Sequence, residues 1–113
     1  MTSTVLVVDD QDVVRDVVRL ALVNAGYQVL EAASPSAAIA HAQGESPIDL
    51  VLTDVVMPEM DAFELAERIK AILPDVRVLY TSGYTDAAAE GPFLQKPFTP
   101  SQLVEKVSSV LAS

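Results

Sequence analysis

The 113-residue sequence contains no cysteine, no tryptophan and only one histidine, His41. Without cysteine the chain has no disulfide, no thiolate nucleophile and no cysteine-ligated metal site, which suits a cytosolic protein. A single histidine argues against a histidine-based metal centre or catalytic triad. Apolar runs reach only four residues, as in Val5–Val8. The sequence therefore predicts no membrane span and no signal-peptide core.

Basic residues are also scarce, with 7 Lys and Arg against 16 Asp and Glu and a formal charge of −9. Such a chain repels nucleic-acid phosphates and anionic lipid, so we predict no direct nucleic-acid binding and no direct membrane contact. A divalent cation is the more natural partner. The length and the 50% hydrophobic content predict one globular domain spanning residues 1–113.

Hydrophobic periodicity switches repeatedly between strand-like and helix-like patterns. Strands are predicted at Thr4–Val8, Tyr27–Leu30, Ile48–Thr53, Val76–Tyr80 and Phe93–Gln95. Helices are predicted over Gln11–Asn24, over Pro35–Gln43, from a cap at Asp61 to a stop at Pro74, and after the capping box Thr99–Gln102. A short, weak helix is predicted within Thr85–Gly91. This alternation predicts an α/β fold, with helices on both faces of a parallel sheet.

Polar side chains follow four of the predicted strands. Asp9 and Asp10 follow the first, Asp54 the third, Ser82 the fourth and Lys96 the fifth. Each residue alone is typical of a turn or a helix cap. In a doubly wound sheet, however, sites form beyond the carboxyl ends of the strands, so we expect this set to converge on one functional site.

Clustered carboxylates repel one another unless a cation intervenes, and Mg²⁺ prefers oxygen ligands. An ammonium and a hydroxyl beside a metal-bound carboxylate suit phosphoryl transfer to that carboxylate. The sequence has no glycine-rich nucleotide loop, so bound ATP is not the expected donor.

Four segments together resemble the receiver domains of two-component response regulators: Val5–Asp10, Asp54–Asp61, Thr81–Tyr84 and Phe93–Phe98. The resemblance covers essentially the whole chain. The Ser-Gly-Tyr and Gln-Lys-Pro-Phe segments are most similar to receivers of hybrid sensor histidine kinases. The resemblance implies a flavodoxin-like, five-stranded doubly wound parallel sheet of order 2-1-3-4-5.

The resemblance also implies a phosphoacceptor and a metal site. Asp54 would accept a phosphoryl group from a phosphohistidine of a sensor histidine kinase or histidine phosphotransfer protein. Asp10, Asp54 and the backbone carbonyl of Val56 would bind Mg²⁺, or Mn²⁺, directly. Asp9 would hold the ion through water. The chain would thus be a signalling domain with slow autodephosphorylation, not a turnover enzyme.

The same resemblance implies a switch. Lys96 would pair with the phosphoryl oxygens, and Ser82 would move toward them. Phe93 occupies the family's switching aromatic position, and the Lys96–Pro97 bond is expected to be cis.

Three features depart from, or qualify, the family pattern. Ala62 replaces a common glycine, which suggests an altered loop or a small cost. The Thr85–Gly91 segment is too short for a full fourth helix and is expected to be truncated, mobile or non-helical. Val56 and Tyr84 are expected to slow hydrolysis of an acyl phosphate by excluding water.

Two alternative functions stay open. Asp10-Gln11-Asp12 is similar to the Asp-x-Asp motif of haloacid-dehalogenase-type phosphohydrolases, so a small aspartyl-phosphate phosphohydrolase is one. A non-phosphorylated pseudo-receiver that only binds a partner is the other. We expect either a free-standing receiver or part of a larger kinase, and a monomer is favoured.

Overall fold

The computed structural model describes residues 2–44, 47–57, 59–83 and 91–112. Within these ranges the strands are β1 Thr4–Val8, β2 Gln28–Ala32, β3 Leu50–Asp54, β4 Arg77–Ser82 and β5 Phe93–Gln95. The helices are α1 Asp12–Asn24, α2 Pro35–Gln43, α3 Ala62–Ile72 and α4 Pro100–Ala112. None of these helices is long and apolar enough to cross a membrane.

All five strands pair in parallel, in the order β2-β1-β3-β4-β5. The predicted fold class and strand order are therefore confirmed. The short helix predicted within Thr85–Gly91 falls almost wholly on residues 84–90, which lie outside the described part of the chain.

The core has a layer on each face of the sheet because successive side chains of a strand point to opposite faces. Val5 and Val7 pack with α1 and α4, through buried residues such as Leu22 and Val107. The alternate strand residues pack with α2 and α3 in a second cluster, which includes Leu6, Val8, Ala38, Leu65 and Ile69. Each fully buried Leu or Val contributes about 1.5 to 3 kcal/mol. The sheet lies between these two helical layers, which fix the position of its carboxyl edge.

Helix starts follow the predicted caps. The Ser34 hydroxyl accepts a hydrogen bond from the Ala37 amide, and Pro35 is the first residue of α2. The Asp61 carboxylate accepts from the amides of Phe63 and Glu64 at the start of α3. Before α4, Thr99 and Gln102 exchange reciprocal hydrogen bonds of 2.9 and 3.1 Å. These local contacts satisfy amides that a helix leaves unpaired at its start.

Three strands end later than predicted. β2 continues to Ala32 because Glu31 and Ala32 stay in register with β1. β4 continues to Ser82, which pairs with Gln95 of β5. Ser82 therefore belongs to the strand itself and not to the turn after it. β3 likewise ends on Asp54, one residue later than predicted.

Candidate functional site

Three carboxylates meet at the carboxyl ends of β1 and β3, where the strand order reverses. Asp9 and Asp10 follow β1, and Asp54 is the last residue of β3. One carboxylate oxygen from each residue lies within 4.8 Å of the others. Asp9 is buried, Asp10 is exposed and Asp54 is partly buried. The fold thus builds an acidic cluster at the position where doubly wound sheets bind ligands.

Asp9 is held by both its main chain and its side chain. Its amide donates to the Ala32 carbonyl at 3.1 Å, and its own carbonyl accepts from Arg15 Nη1 at 2.8 Å. Its carboxylate accepts from the Gln11 amide at 2.9 Å and from Lys96 Nζ at 3.2 Å. Four contacts leave this residue little freedom, so its position is set before any ligand arrives.

Asp54 is positioned by its strand and by Lys96. Its Oδ2 accepts from Lys96 Nζ at 3.2 Å, and its Oδ1 accepts from the Val56 amide at 3.3 Å. Directly after β3, one more hydrogen bond continues the pairing with β4: the Val55 amide donates to the Thr81 carbonyl at 2.8 Å. The Asp54 carboxylate is therefore held in place with the Lys96 ammonium beside it.

Lys96 reaches the acids from β5. Its amide donates to the Ser82 carbonyl at 2.8 Å, which ties the chain after β5 to the end of β4. The Lys96–Pro97 peptide bond is cis, as predicted. The side chain is 22% exposed, so the ammonium is partly shielded from water. This shielding strengthens its attraction to Asp9 and Asp54.

The remaining predicted site residues lie around this cluster. Ser82 is buried at 1% exposure next to the strand that carries Asp54. Phe93 is half-buried and packs against a small cluster that contains Tyr80 and Ala62. Val56 is 58% exposed, so its apolar side chain faces solvent beside the acids. Tyr84 lies outside the described residues.

The donor set fits a hard divalent cation. The three side chains gathered there offer carboxylate oxygens, which Mg²⁺ and Mn²⁺ prefer over nitrogen or sulfur ligands. Adjacent oxygens around Mg²⁺ stand about 3 Å apart, given bonds of about 2.1 Å. A separation within 4.8 Å therefore needs only a small inward movement of the carboxylates. Three carboxylates against one ammonium leave a net negative charge that a dication offsets.

Two residues near the acids, Arg15 and Glu31, were not predicted from the sequence. Arg15 Nη2 lies 2.6 Å from Asp12 Oδ1, and its Nε lies 3.4 Å from Glu31 Oε1. The hydrogen bond to Asp12 is the main reason that the pKa of Arg15 is raised above its ordinary value, and Glu31 adds to it against the opposing effect of burial. The sequence did contain one indication that Glu31 has a partner, because it is a charged residue directly after the apolar residues of β2.

Comparison with known proteins gives a consistent result. The family model for the response regulator receiver domain matches residues 5–108. The chain is 37% identical to the response regulator receiver protein CpdR of Brucella abortus, over 98% of both chains. It is 39% identical to sensor kinase CckA of the same organism, covering 97% of this chain but 13% of the kinase. It spans 24% of the DNA-binding transcriptional regulator NtrC of Azospirillum brasilense.

Solved structures agree. The receiver domain of the hybrid histidine kinase CckA superposes with a TM-score of 0.87 at 35% identity, over 96% of this chain and 99% of that one. The chemotaxis protein CheY4 of Vibrio cholerae gives a TM-score of 0.88 at 30% identity, over 97% of this chain and 99% of that one. The predicted similarity to hybrid-kinase receivers is thus confirmed. This chain belongs to the receiver domains of two-component response regulators.

Proposed function

We propose that this chain is a Mg²⁺-dependent phosphoacceptor domain of a bacterial two-component phosphorelay. Asp54 takes a phosphoryl group from a phosphohistidine on a sensor histidine kinase or a histidine phosphotransfer protein. One observation carries the proposal: the Asp54 carboxylate lies 3.2 Å from the Lys96 ammonium and beside the carboxylates of Asp9 and Asp10. Residues 1–113 act as one domain in the cytoplasm, as a monomer.

The chemistry is a substitution at phosphorus. A carboxylate oxygen of Asp54 forms a bond to phosphorus while the phosphorus–nitrogen bond of the phosphohistidine breaks. The electron pair of the broken bond stays on the imidazole nitrogen. Lys96 pairs with the phosphoryl oxygens and offsets their charge as the group moves. Asp54 acts here as a nucleophile, so the chain gains a covalent group and releases no small product.

The acids would hold the metal. Asp10, Asp54 and the backbone carbonyl of Val56 would bind it directly, and Asp9 would hold it through water. Mg²⁺, when bound, supplies positive charge that lets an anionic phosphoryl group approach an anionic carboxylate. The hydrogen bonds that Asp9 accepts from the Gln11 amide and the Arg15 guanidinium limit the rearrangement needed when the ion binds.

The switch involves Ser82 and Phe93. Ser82 ends β4, the strand that pairs with the strand of Asp54, and its hydroxyl moves toward a phosphoryl oxygen on Asp54. Phe93 pairs in register with Tyr80 on that same strand. A movement of Ser82 is therefore transmitted along β4 to the packing of Phe93, which changes the face offered to a partner.

The alternatives find less support. In the Asp-x-Asp motif, Asp12 is 83% exposed and pairs with Arg15, so it does not join the acidic cluster. A phosphohydrolase would need turnover of a phosphate ester, which an assay with p-nitrophenyl phosphate detects. A pseudo-receiver would lack an acid, the acceptor or the lysine, and this chain has all of them.

The test is an intact-mass spectrum after incubation with Mg²⁺ and acetyl phosphate. The wild type is expected to gain one phosphoryl group of about 80 Da, and Asp54→Asn is expected to gain none. Asp75→Asn is the matched control, because Asp75 is an exposed aspartate in the turn before β4. A gain on Asp54→Asn, or no gain on the wild type even with a phosphorylated histidine phosphotransfer protein, would reject the proposal.

A further inference from the structure

Arg15 joins the acidic cluster to the end of β2. Its Nη1 donates to the Asp9 carbonyl at 2.8 Å, its Nη2 to Asp12 at 2.6 Å, and its Nε faces Glu31 at 3.4 Å. The side chain is only 15% exposed. All three guanidinium nitrogens are therefore engaged, and the fork fixes the loop between β1 and α1 relative to the neighbouring strand.

The contact with the Asp9 carbonyl matters because a peptide unit is planar. Holding the carbonyl oxygen of Asp9 also fixes the amide of Asp10, which belongs to the same plane. Asp10 is exposed, so packing restricts its side chain little. The direction of the main chain before Asp10 therefore sets where its carboxylate lies. Arg15 thus controls the direction in which Asp10 leaves the sheet, although it pairs with neither Asp10 nor Asp54.

We propose that Arg15 is a positioning residue for the metal site. Its guanidinium orients the Asp9–Asp10 peptide so that both carboxylates face Asp54 at a spacing that a divalent cation can bridge. The inference rests on the proposed function, because Mg²⁺ binding by these acids is part of that proposal. Groups behind the direct ligands commonly tune metal affinity in this way.

The direction in which Mg²⁺ affinity changes when Arg15 is removed separates a positioning role from a purely electrostatic one. Arg15 is a cation near three carboxylates, so through charge alone its removal should strengthen the binding of another cation. Through positioning, its removal should weaken binding because the Asp10 carboxylate loses its orientation. The two explanations predict opposite changes for the same substitution.

Arg19 provides a matched control, one turn further along α1. Its Nε lies 3.7 Å from Glu31 and 3.8 Å from Asp16, so it shares a partner with Arg15. It pairs with these carboxylates and not with the Asp9 carbonyl. Arg19→Met therefore removes the same charge and one Glu31 ion pair while the Asp9–Asp10 peptide keeps its contact with Arg15.

The experiment measures Mg²⁺ affinity by isothermal titration calorimetry for the wild type, Arg15→Met, Arg19→Met and Asp10→Asn. Arg15→Met is expected to weaken binding about tenfold, and Arg19→Met is expected to leave it within about twofold because exposed charges are screened. Saturating Mg²⁺ should restore phosphorylation of Arg15→Met by acetyl phosphate, since the defect lies in metal affinity. Thermal unfolding of each variant checks that the fold is intact.

The outcomes are distinguishable. If the wild type binds no Mg²⁺, or if Asp10→Asn binds as tightly as the wild type, the proposed function fails and the inference fails with it. If the wild type binds through Asp10 but Arg15→Met binds as tightly or more tightly, only the role of Arg15 is rejected. An equal loss in Arg19→Met also rejects it. Should Arg15→Met not fold, Arg15→Gln, which also removes the charge, replaces it and is judged by the same comparison.

Discussion

The ammonium nitrogen of Lys96 lies 3.2 Å from Oδ2 of Asp54, although the two residues are 42 positions apart. Asp54 ends β3 and Lys96 directly follows β5, and β4 lies between these two strands. The same ammonium lies 3.2 Å from Asp9. Lys96 therefore offsets part of the charge of the acids before any other cation does. In the proposed function it competes with Mg²⁺ for the carboxylates and later pairs with the phosphoryl group.

Lys96→Met is expected to change metal binding and phosphorylation in opposite directions. Loss of the competing ammonium should strengthen Mg²⁺ binding about threefold, the scale of a partly exposed ion pair. Loss of the cation that pairs with the phosphoryl oxygens should slow phosphorylation by acetyl phosphate about a hundredfold. Calorimetry and intact-mass kinetics measure the two effects.

The control for Lys96→Met is Lys70→Met, which removes an exposed lysine from the last turn of α3. Lys70→Met should change neither the Mg²⁺ affinity nor the rate of phosphorylation. Weaker Mg²⁺ binding by Lys96→Met would show that Lys96 supports the acids instead of competing for them.

Val56→Asn is expected to shorten the lifetime of the phosphorylated protein. Val56 follows Asp54 by two residues and is 58% exposed, so an apolar side chain stands beside the acceptor. An asparagine amide there can hydrogen-bond a water that attacks the acyl phosphate, whereas the valine side chain offers that water no hydrogen bond. We expect decay about threefold to tenfold faster, a barrier change of up to about 1.4 kcal/mol.

The decay is followed by intact mass after the phosphodonor is removed. Val23→Asn is the control, because Val23 is also an exposed valine but lies in the last turn of α1. A lifetime that is unchanged or longer in Val56→Asn would contradict the water-exclusion argument.

Glu59 combines an unfavourable backbone with a favourable side-chain contact. Its φ is 77°, and its carboxylate accepts a hydrogen bond of 2.5 Å from the Ser36 hydroxyl. A left-handed conformation costs about 1 to 2 kcal/mol for a residue with a side chain. Ser36→Ala should lower the free energy of unfolding by about 1 kcal/mol, since it removes only the hydrogen bond.

In the Ser36→Ala background, Glu59→Gly should then raise the free energy of unfolding by about 0.5 to 1 kcal/mol, because glycine adopts this φ without strain. Urea denaturation of the wild type, the two single variants and the double variant measures the cycle. A loss of stability on adding Glu59→Gly to Ser36→Ala would mean that the φ angle is not strained.

Local signals made much of the fold predictable. β1 and β5 have the predicted bounds, and each contains a short apolar run. Ser34, Asp61 and Thr99 cap their helices through contacts within three residues. The convergence of the acids with Lys96 followed from placing polar residues at the ends of parallel strands.

Non-local contacts explain what the sequence did not reveal. β2 reaches Ala32 only because β1 is its partner, so the Arg15–Glu31 ion pair was not visible from periodicity. Ser82 resembles a turn residue until its pairing with β5 is known. The left-handed φ of Glu59 likewise depends on how the chain turns between β3 and α3.

Ala62 stands where the family often has glycine, and restoring glycine is expected to destabilise this chain. Ala62 is fully buried as the first residue of α3, and it packs in the cluster that contains Tyr80 and Phe93. Ala62→Gly should lower the free energy of unfolding by about 1 to 1.5 kcal/mol, through loss of a buried methyl group and a more flexible unfolded chain. Urea denaturation measures the change, with Ala112→Gly at the exposed end of α4 as the control. Unchanged or increased stability in Ala62→Gly would show that the alanine strains this turn, as the family pattern suggested.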